Sequence, residues 1–319
     1  MRVLVLEYVT AGGMRRETLP PSLAAEAALI RDAMLADLAA LPAPPDILTT
    51  CDERLPRAGA IRVGLDTSAW VLWRQLADEA DVIWPVAPET GGILADLVRM
   101  LAASGKPVLA STPEAILIAT SKLETTRRLA AAGVPHIPTY PLAEAPDIPG
   151  ARITKPDDGA GCDATFLWPA GVPATPEATA GVVIQPYVAG EAASLCVLVQ
   201  AGEARLLTVN RQHIVVQDGR LSLSGLTVGA WADDGQLAGL TRQVVAACPG
   251  LDGFIGIDIL LTETGPVVVE INPRLTTAYA GLGRALGLNP ATLLATFATF
   301  AAGAAGASRP AVTVELALT

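Results

Sequence analysis

Two apolar runs, Gly256-Ile257-Asp258-Ile259-Leu260 and Val267-Val268-Val269-Glu270-Ile271-Asn272-Pro273-Arg274, stand either side of Thr262-Glu263-Thr264-Gly265-Pro266, a stretch with turn composition. The pattern predicts a β-hairpin. Flanks this apolar also predict that the hairpin is largely buried, and this constrains the fold, because a buried carboxylate without a partner is costly. Glu270 and Asn272 are two residues apart, so on a strand they share a face, and Asp258 can lie across from them. Two carboxylates and an amide oxygen are hard ligands suited to Mg²⁺. The plainer alternative on these residues alone is a hairpin with ordinary polar residues.

The chain around this hairpin has 319 residues, enough for two or three small domains. It is 51% hydrophobic and 17% charged, a globular balance. A net charge of −10 without a basic stripe argues against a nucleic-acid partner. Cys51, Cys162, Cys196 and Cys248 form no CxxC pair, so neither a zinc site nor a disulfide framework is expected. Free thiols fit a reducing cytoplasm, and a cytoplasmic location is expected. The start, Met1 to Tyr8, reads as a strand rather than a signal segment. The Ala-rich stretch from Leu293 to Ala307 is too short and too broken by glycine to span a membrane, and reads as a buried helix.

The first third alternates strand and helix: Val3–Leu6, the helix Ser22–Ala40 with Ser22 as N-cap, Asp46–Thr49, the helix Leu65–Glu79, Ala80–Val86, the helix Gly91–Ser104, and a buried strand Pro107–Ala110. Such alternation predicts a parallel sheet flanked by helices, with ligands beyond the carboxyl ends of its strands. Glu7–Gly13 and Pro88–Gly92 follow strands there and read equally as substrate loops or glycine-rich turns. Further on, a helix Ser121–Ala132 closed by Gly133 leads to strands Ala151–Lys155, Thr165–Trp168 and Val182–Gln185. Gln217-Asp218-Gly219-Arg220 is a hairpin signal, and the helix Asp234–Ala247 precedes the opening hairpin. The expected domains are 1–112, 113–185 and 186–319.

Four signals occur in one order. Lys122 opens a helix. Lys155 ends a strand and is followed by Pro156-Asp157-Asp158-Gly159-Ala160-Gly161-Cys162. Gln185-Pro186-Tyr187-Val188-Ala189-Gly190-Glu191 follows another strand. Asp258, Glu270, Asn272 and Arg274 come last. The order resembles the ATP-grasp superfamily of carboxylate–amine ligases over roughly Thr120 to Leu288. The resemblance implies an α/β chain, α+β in its ATP-binding part: an ATP-grasp fold preceded by a parallel α/β domain. Glycines let main-chain N–H groups approach phosphate oxygens, and Gly159 and Gly161 fit the family's phosphate-covering loop. Lys122 and Lys155 would neutralise phosphates, their alternative being solvated surface charges. By the resemblance, Gln185, Tyr187 and Val188 form the hinge that meets adenine. Glu191 would hold the ribose, although Ala192 and Ala193 stand where a second acid is common. Asp258 with Glu270 would bind one Mg²⁺, and Glu270 with Asn272 a second, Mn²⁺ being an acceptable substitute. Arg274, with Lys155, would carry the catalytic charge at the transferring phosphate; a structural pair with Glu270 is its alternative.

The implied chemistry passes through an acyl phosphate, which an amine attacks to form an amide. A narrower resemblance, carried by Glu7-Tyr8, Gly12-Gly13, Lys155–Cys162, Asn210-Arg211-Gln212 and Ile271–Tyr279, is to the tyramine–L-glutamate ligases of methanofuran biosynthesis. It implies small-molecule partners, the L-glutamate γ-carboxylate and an aromatic amine of the tyramine or tyrosine type, in making methanofuran or the related methylofuran. No membrane partner is expected, and a homodimer is allowed. Two alternatives stay open: an ATP-grasp ligase for another amino acid or peptide, and a non-catalytic nucleotide-binding module. Tyr279 is expected either to contact the amine or to pack beneath the C-terminal helix. His213 is a further residue that could face the cleft, whereas His136 reads as structural.

Overall fold

The computed structural model describes residues 1–159, 162, 164–177, 179–297 and 312–318. The first part is a four-stranded parallel sheet in the order β3-β2-β1-β4, built from β1 (Arg2–Glu7), β2 (Asp46–Asp52), β3 (Ile61–Val63) and β4 (Val82–Val86). Helix α1 (Pro21–Ala39) connects β1 to β2, α2 (Ala69–Glu79) connects β3 to β4, and α3 (Ile93–Ala102) follows β4. Both faces of this sheet are covered, which is why β1 and β4 read as unbroken apolar runs rather than alternating ones.

Local departures from the sequence reading have local causes. The first helix starts at Pro21, with Pro20 rather than Ser22 in the cap position, because proline fits the first helical turn, where its missing N–H is no loss. Helix α3 starts at Ile93, because Gly91 and Gly92 take φ of +65° and +74° and break the turn before it. Pro107–Ala110 makes only a single parallel bridge, Val108 to Ile83, since Pro107 has no N–H to extend a ladder. Helix α4 (Pro113–Thr120) was not foreseen; Thr112 caps it by accepting from Ala115 N. Of the helix expected over 293–307, residues 298–307 lie outside the described residues, and Pro290–Leu293 is a 3₁₀ turn.

The second part is a ten-stranded antiparallel sheet. Its strands are β5 (Tyr140–Pro141), β6 (Arg152–Pro156), β7 (Phe166–Trp168), β8 (Val182–Pro186), β9 (Glu191–Gln200), β10 (Glu203–Gln217), β11 (Arg220–Trp231), β12 (Gly253–Thr262), β13 (Gly265–Asn272) and β14 (Val314–Ala317). The order is β13-β12-β9-β10-β11-β7-β6-β8-β5, with β14 on β11. The β10–β11 turn has positive φ at both Asp218 and Gly219, the twist a two-residue hairpin loop favours. Helices α5 (Lys122–Ala131) and α6 (Gln236–Ala247) pack with α4 on one face, against Leu195, Val197 and Ile257. Strand alternation sends Cys196, Leu198 and Phe254 to the other face, where they meet β4, α1 and α7 (Tyr279–Leu286).

That second contact joins the two sheets through aromatic rings. Trp84 stacks on Phe254 with centroids 6.3 Å apart, and Tyr279 stands edge-on to Trp84 at 5.9 Å and to Phe254 at 5.1 Å. Tyr279 is thus core, 1% exposed, and is not available to a substrate. Among the described residues no helix is long and apolar enough to cross a membrane. Phe254→Ala empties the centre of this cluster and is expected to cost about 3–5 kcal/mol, read as a lower urea midpoint with an unchanged slope.

Candidate functional site

The hairpin β12–β13 places its ligands by register. Asp258 pairs with Glu270, and Gly256 pairs with Asn272. Asn272 therefore reaches Asp258 diagonally, donating from Nδ2 to Oδ2 at 3.3 Å, which leaves the amide oxygen as the donor atom for a cation. Gly256 is required here, since a Cβ would stand 2.6 Å from Thr276 Cγ2. Gln212 on β10 donates to Asp258 Oδ1 at 3.1 Å.

Two lysines converge on Glu270 from other elements. Lys122 Nζ is 3.7 Å and Lys155 Nζ 3.8 Å from Glu270 Oε2. Lys122 is the first residue of α5, capped by Ser121, whose Oγ accepts from Glu124 N and donates to Asp157 Oδ2 at 2.7 Å. Lys122 Nζ also donates to Asp157 O at 3.2 Å and Gly159 O at 2.6 Å, so it secures the loop that follows Lys155. Lys155 is the last residue but one of β6, which ends at Pro156, and it is buried.

The electrostatics follow from burial plus neighbours. Burial and then the Glu270 charge push the Asp258 carboxyl up to about 7. Burial also works on Glu270, but Lys122 and Lys155 outweigh it and hold that carboxyl below its ordinary value. Burial lowers the Lys155 ammonium, with Glu270 opposing. Two facing acids pushed in opposite directions, with a free amide oxygen beside them, fit a divalent cation, which would let both stay ionised. Among the described residues there is no group of three His, Cys, Asp or Glu, so the third hard donor would be Asn272.

These charges form one end of a cavity of about 330 Å³, within the size range of small-molecule sites. The other end is apolar, with Ile153, Val188, Ile214, Leu260 and Val269 on its walls. Gly159, Cys162, Gln185 and Tyr187 also line it, and Gly161 lies outside the described residues. Burial and the nearby acids push the Cys162 thiol up to about 12. The Gln185 side chain is buried and donates to Thr139 Oγ1 at 2.7 Å, and Tyr187 N donates to Ala151 O at 2.9 Å.

The structure does not bring every expected residue to the cavity. Gly190 and Ala192 line it, so by strand alternation Glu191 points to the other face, where it pairs with Arg211 at 3.2 Å. His213 lies between Gln212 and Ile214, which face the cavity, and its Nε2 instead meets Thr227 Oγ1 at 2.8 Å. His136 Nδ1 meets Val134 O at 2.7 Å. Arg274 does not take Glu270 as its ion-pair partner; its Nε is 3.0 Å from Glu89 Oε1, on the turn after β4. Burial disfavours the guanidinium charge, but Glu89, with Glu26 and Glu7, more than restores it. The Glu7–Gly13 loop closes on itself: Glu7 accepts from Thr10 N and Thr10 Oγ1 at 2.7 Å, and Gly13 leaves room for the Tyr8 ring.

The sequence reading did not single out Gln212, Ile214 and Val216 as one wall, although their two-residue spacing on a long strand was the available signal. It named Glu89 only as part of a loop, because its partner lies in another sheet.

An ATP-grasp domain model matches residues 119–278, and a pre ATP-grasp domain model matches residues 46–116. The tyramine–L-glutamate ligase of Methanocaldococcus jannaschii is 27% identical over 212 residues, 65% of this chain and 59% of that protein. The enzyme of the same name from Methanocaldococcus fervens is 25% identical over 210 residues, 64% of this chain and 62% of that one. This chain thus aligns with about three-fifths of each of these relatives. A solved Archaeoglobus fulgidus protein assigned to the ATP-grasp superfamily superposes with a TM-score of 0.77 at 21% identity, covering 99% of this chain and 92% of that one. An L-amino acid ligase from Bacillus licheniformis gives 0.66 at 14% identity, covering 98% and 78%. The family match covers the stretch that carries both lysines, the Gln185–Glu191 segment and the β12–β13 hairpin, and the chain belongs to the ATP-grasp family.

Proposed function

We propose that the chain is an ATP-dependent carboxylate–amine ligase that joins the γ-carboxylate of L-glutamate to an aromatic amine of the tyramine or tyrosine class, in making a methanofuran-type cofactor. One observation carries the reading: Glu270 sits between Lys122 and Lys155, opposite Asp258, in a cavity whose remaining lining is mostly apolar. An apolar slot ending in cations and cation ligands suits a nucleotide, with its base in the slot and its phosphates among the charges. The likeness to the tyramine–L-glutamate ligases supports the choice of acid and amine.

Each residue has a task in this reading. Because Tyr187 N is already spent on Ala151 O, adenine would be met by the main chain at Val188. Lys155 and Lys122 would neutralise phosphate oxygens, Lys122 also holding Gly159 of the covering loop. Asp258, Glu270 and Asn272 would hold Mg²⁺, which would supply neutralising charge to the phosphates. The substrate carboxylate takes the γ-phosphoryl group, ADP leaves, and the amine displaces phosphate from the acyl phosphate. Arg274, kept charged by Glu89, would steady the oxyanion of that step. No protein nucleophile is required.

In an ADP-release assay with L-glutamate and a panel of amines, turnover is expected only with glutamate plus an aromatic amine. Turnover with a different acid alone would move the substrate assignment, and no turnover with any pair would sink the ligase reading. Asp258→Asn and Glu270→Gln are expected to lower kcat by at least about a hundredfold, the scale of removing fixed charge from a dry site, with far-UV circular dichroism unchanged. Saturating Mg²⁺ and ADP are expected to raise the melting point, by about 2.7 kcal/mol of stabilisation at a hundredfold excess over Kd. Glu270→Gln should remove the Mg²⁺ dependence of that shift.

A further inference from the structure

One short turn touches both Arg274, just past the β12–β13 hairpin, and the loop that follows Lys155. Glu89, 5% exposed, follows β4 and holds its carboxylate against Arg274. The contact is a charge pair without hydrogen-bond alignment, since neither Arg274 Nε nor Glu89 Oε2 has a hydrogen-bond partner among the described residues. The next two residues reach the other way. Thr90 Oγ1 donates to Asp158 O at 3.1 Å, and Gly91 N donates to Asp158 Oδ2 at 3.1 Å. Gly91 can do so because its φ of +65° turns the chain sharply, a conformation other residues rarely adopt.

Asp158 lies in the loop that follows Lys155. Its neighbours are also held: Asp157 accepts from Leu123 N and Ser121 Oγ of α5, and Gly159 O accepts from Lys122. The loop is therefore tied on one side to α5 and on the other to the parallel sheet.

We propose that Glu89 and Thr90 are positioning residues, and that the Glu89–Gly91 turn sets Arg274 and the Asp157–Gly159 segment, which borders the cavity at Gly159, together. A segment held in one position against a bound nucleotide loses conformational entropy, and two hydrogen bonds to an already ordered turn offset part of that loss. The saving appears in the rate of nucleotide release. Because Glu89 is on the same turn, loosening its grip on Arg274 also loosens the hold on Asp158. This rests on the nucleotide reading of the cavity given above.

The test is the release rate of a fluorescent ADP analogue with Mg²⁺ from the full chain, measured by stopped flow. Asp158→Ala and Thr90→Val are each expected to speed release roughly three- to tenfold, the scale of one ordinary hydrogen bond, and together no more than the larger single effect. Thr90→Ser, which keeps the hydroxyl, restores the unmodified rate. Glu89→Gln also speeds release, and its effect combined with Asp158→Ala is less than multiplicative. Melting without nucleotide checks that each variant is folded. Unchanged release in Asp158→Ala and Thr90→Val, or full multiplicativity of Glu89→Gln with Asp158→Ala, overturns the proposal. Failure of the unmodified chain to bind the analogue overturns the nucleotide reading itself.

Discussion

A carboxylate withdrawn from water as Glu270 is, with its side chain 19% exposed, stays ionised only where positive charge is brought to it, and here that charge comes from two distant pieces of the chain. Lys122 arrives on the first turn of α5, and Lys155 at the end of β6. Neither can be moved alone. Lys122 is fixed by the cap of its helix and by the carbonyls of Asp157 and Gly159, and Lys155 by the pairing of β6 with β8. The arrangement draws three elements, α5, β6 and the β12–β13 hairpin, to a single point, and the cavity opens beside it. Removing either lysine would leave its partner and Glu270 with an imbalance that the surrounding apolar wall cannot relieve.

The apolar half of the cavity has a different origin. Its walls are strand positions: Ile153, Ile214 and Leu260 face inward by alternation, and Val269 stands at the register shift between Val268 and Glu270. In a sheet without a cleft such residues would meet a second layer. Here the strands β6 and β8 stand across from β10, β12 and β13, and the space between is left for a guest. The sheet that bounds it is packed on its opposite face against α4, α5 and α6 through Leu195, Val197 and Ile257, so the cavity floor is as rigid as the core beneath it.

The elements that local chemistry decides were legible in the sequence. The β12–β13 hairpin, the Asp218-Gly219 turn, the helix that opens at Ser121-Lys122 and the alternation of the first third all follow from spacing and composition, and all are present. What escaped were facts of tertiary pairing. Arg274 pairs with Glu89 because two sheets meet there, and no local pattern reports that contact. Glu191 sits one residue away from a wall position, so its face depended on a strand start that composition blurs across Gly190-Glu191-Ala192. Helix α4 hid behind a proline that serves as its first turn.

The pairing of Asp258 with Glu270 also limits how this chain can vary over evolutionary time. Side chains along a strand point alternately to opposite faces, so an insertion of one residue in β12 before Asp258, or in β13 after the turn, would rotate one acid out of the cavity while leaving the other behind. Substitutions within these strands are graded in effect, but insertions and deletions there act as all-or-none events. The exposed turn at Glu263-Thr264 is free of that rule, because both arms keep their register when only the connection lengthens. Length differences among homologous chains should therefore collect at that turn and be purged from the ten or so residues on either side of it.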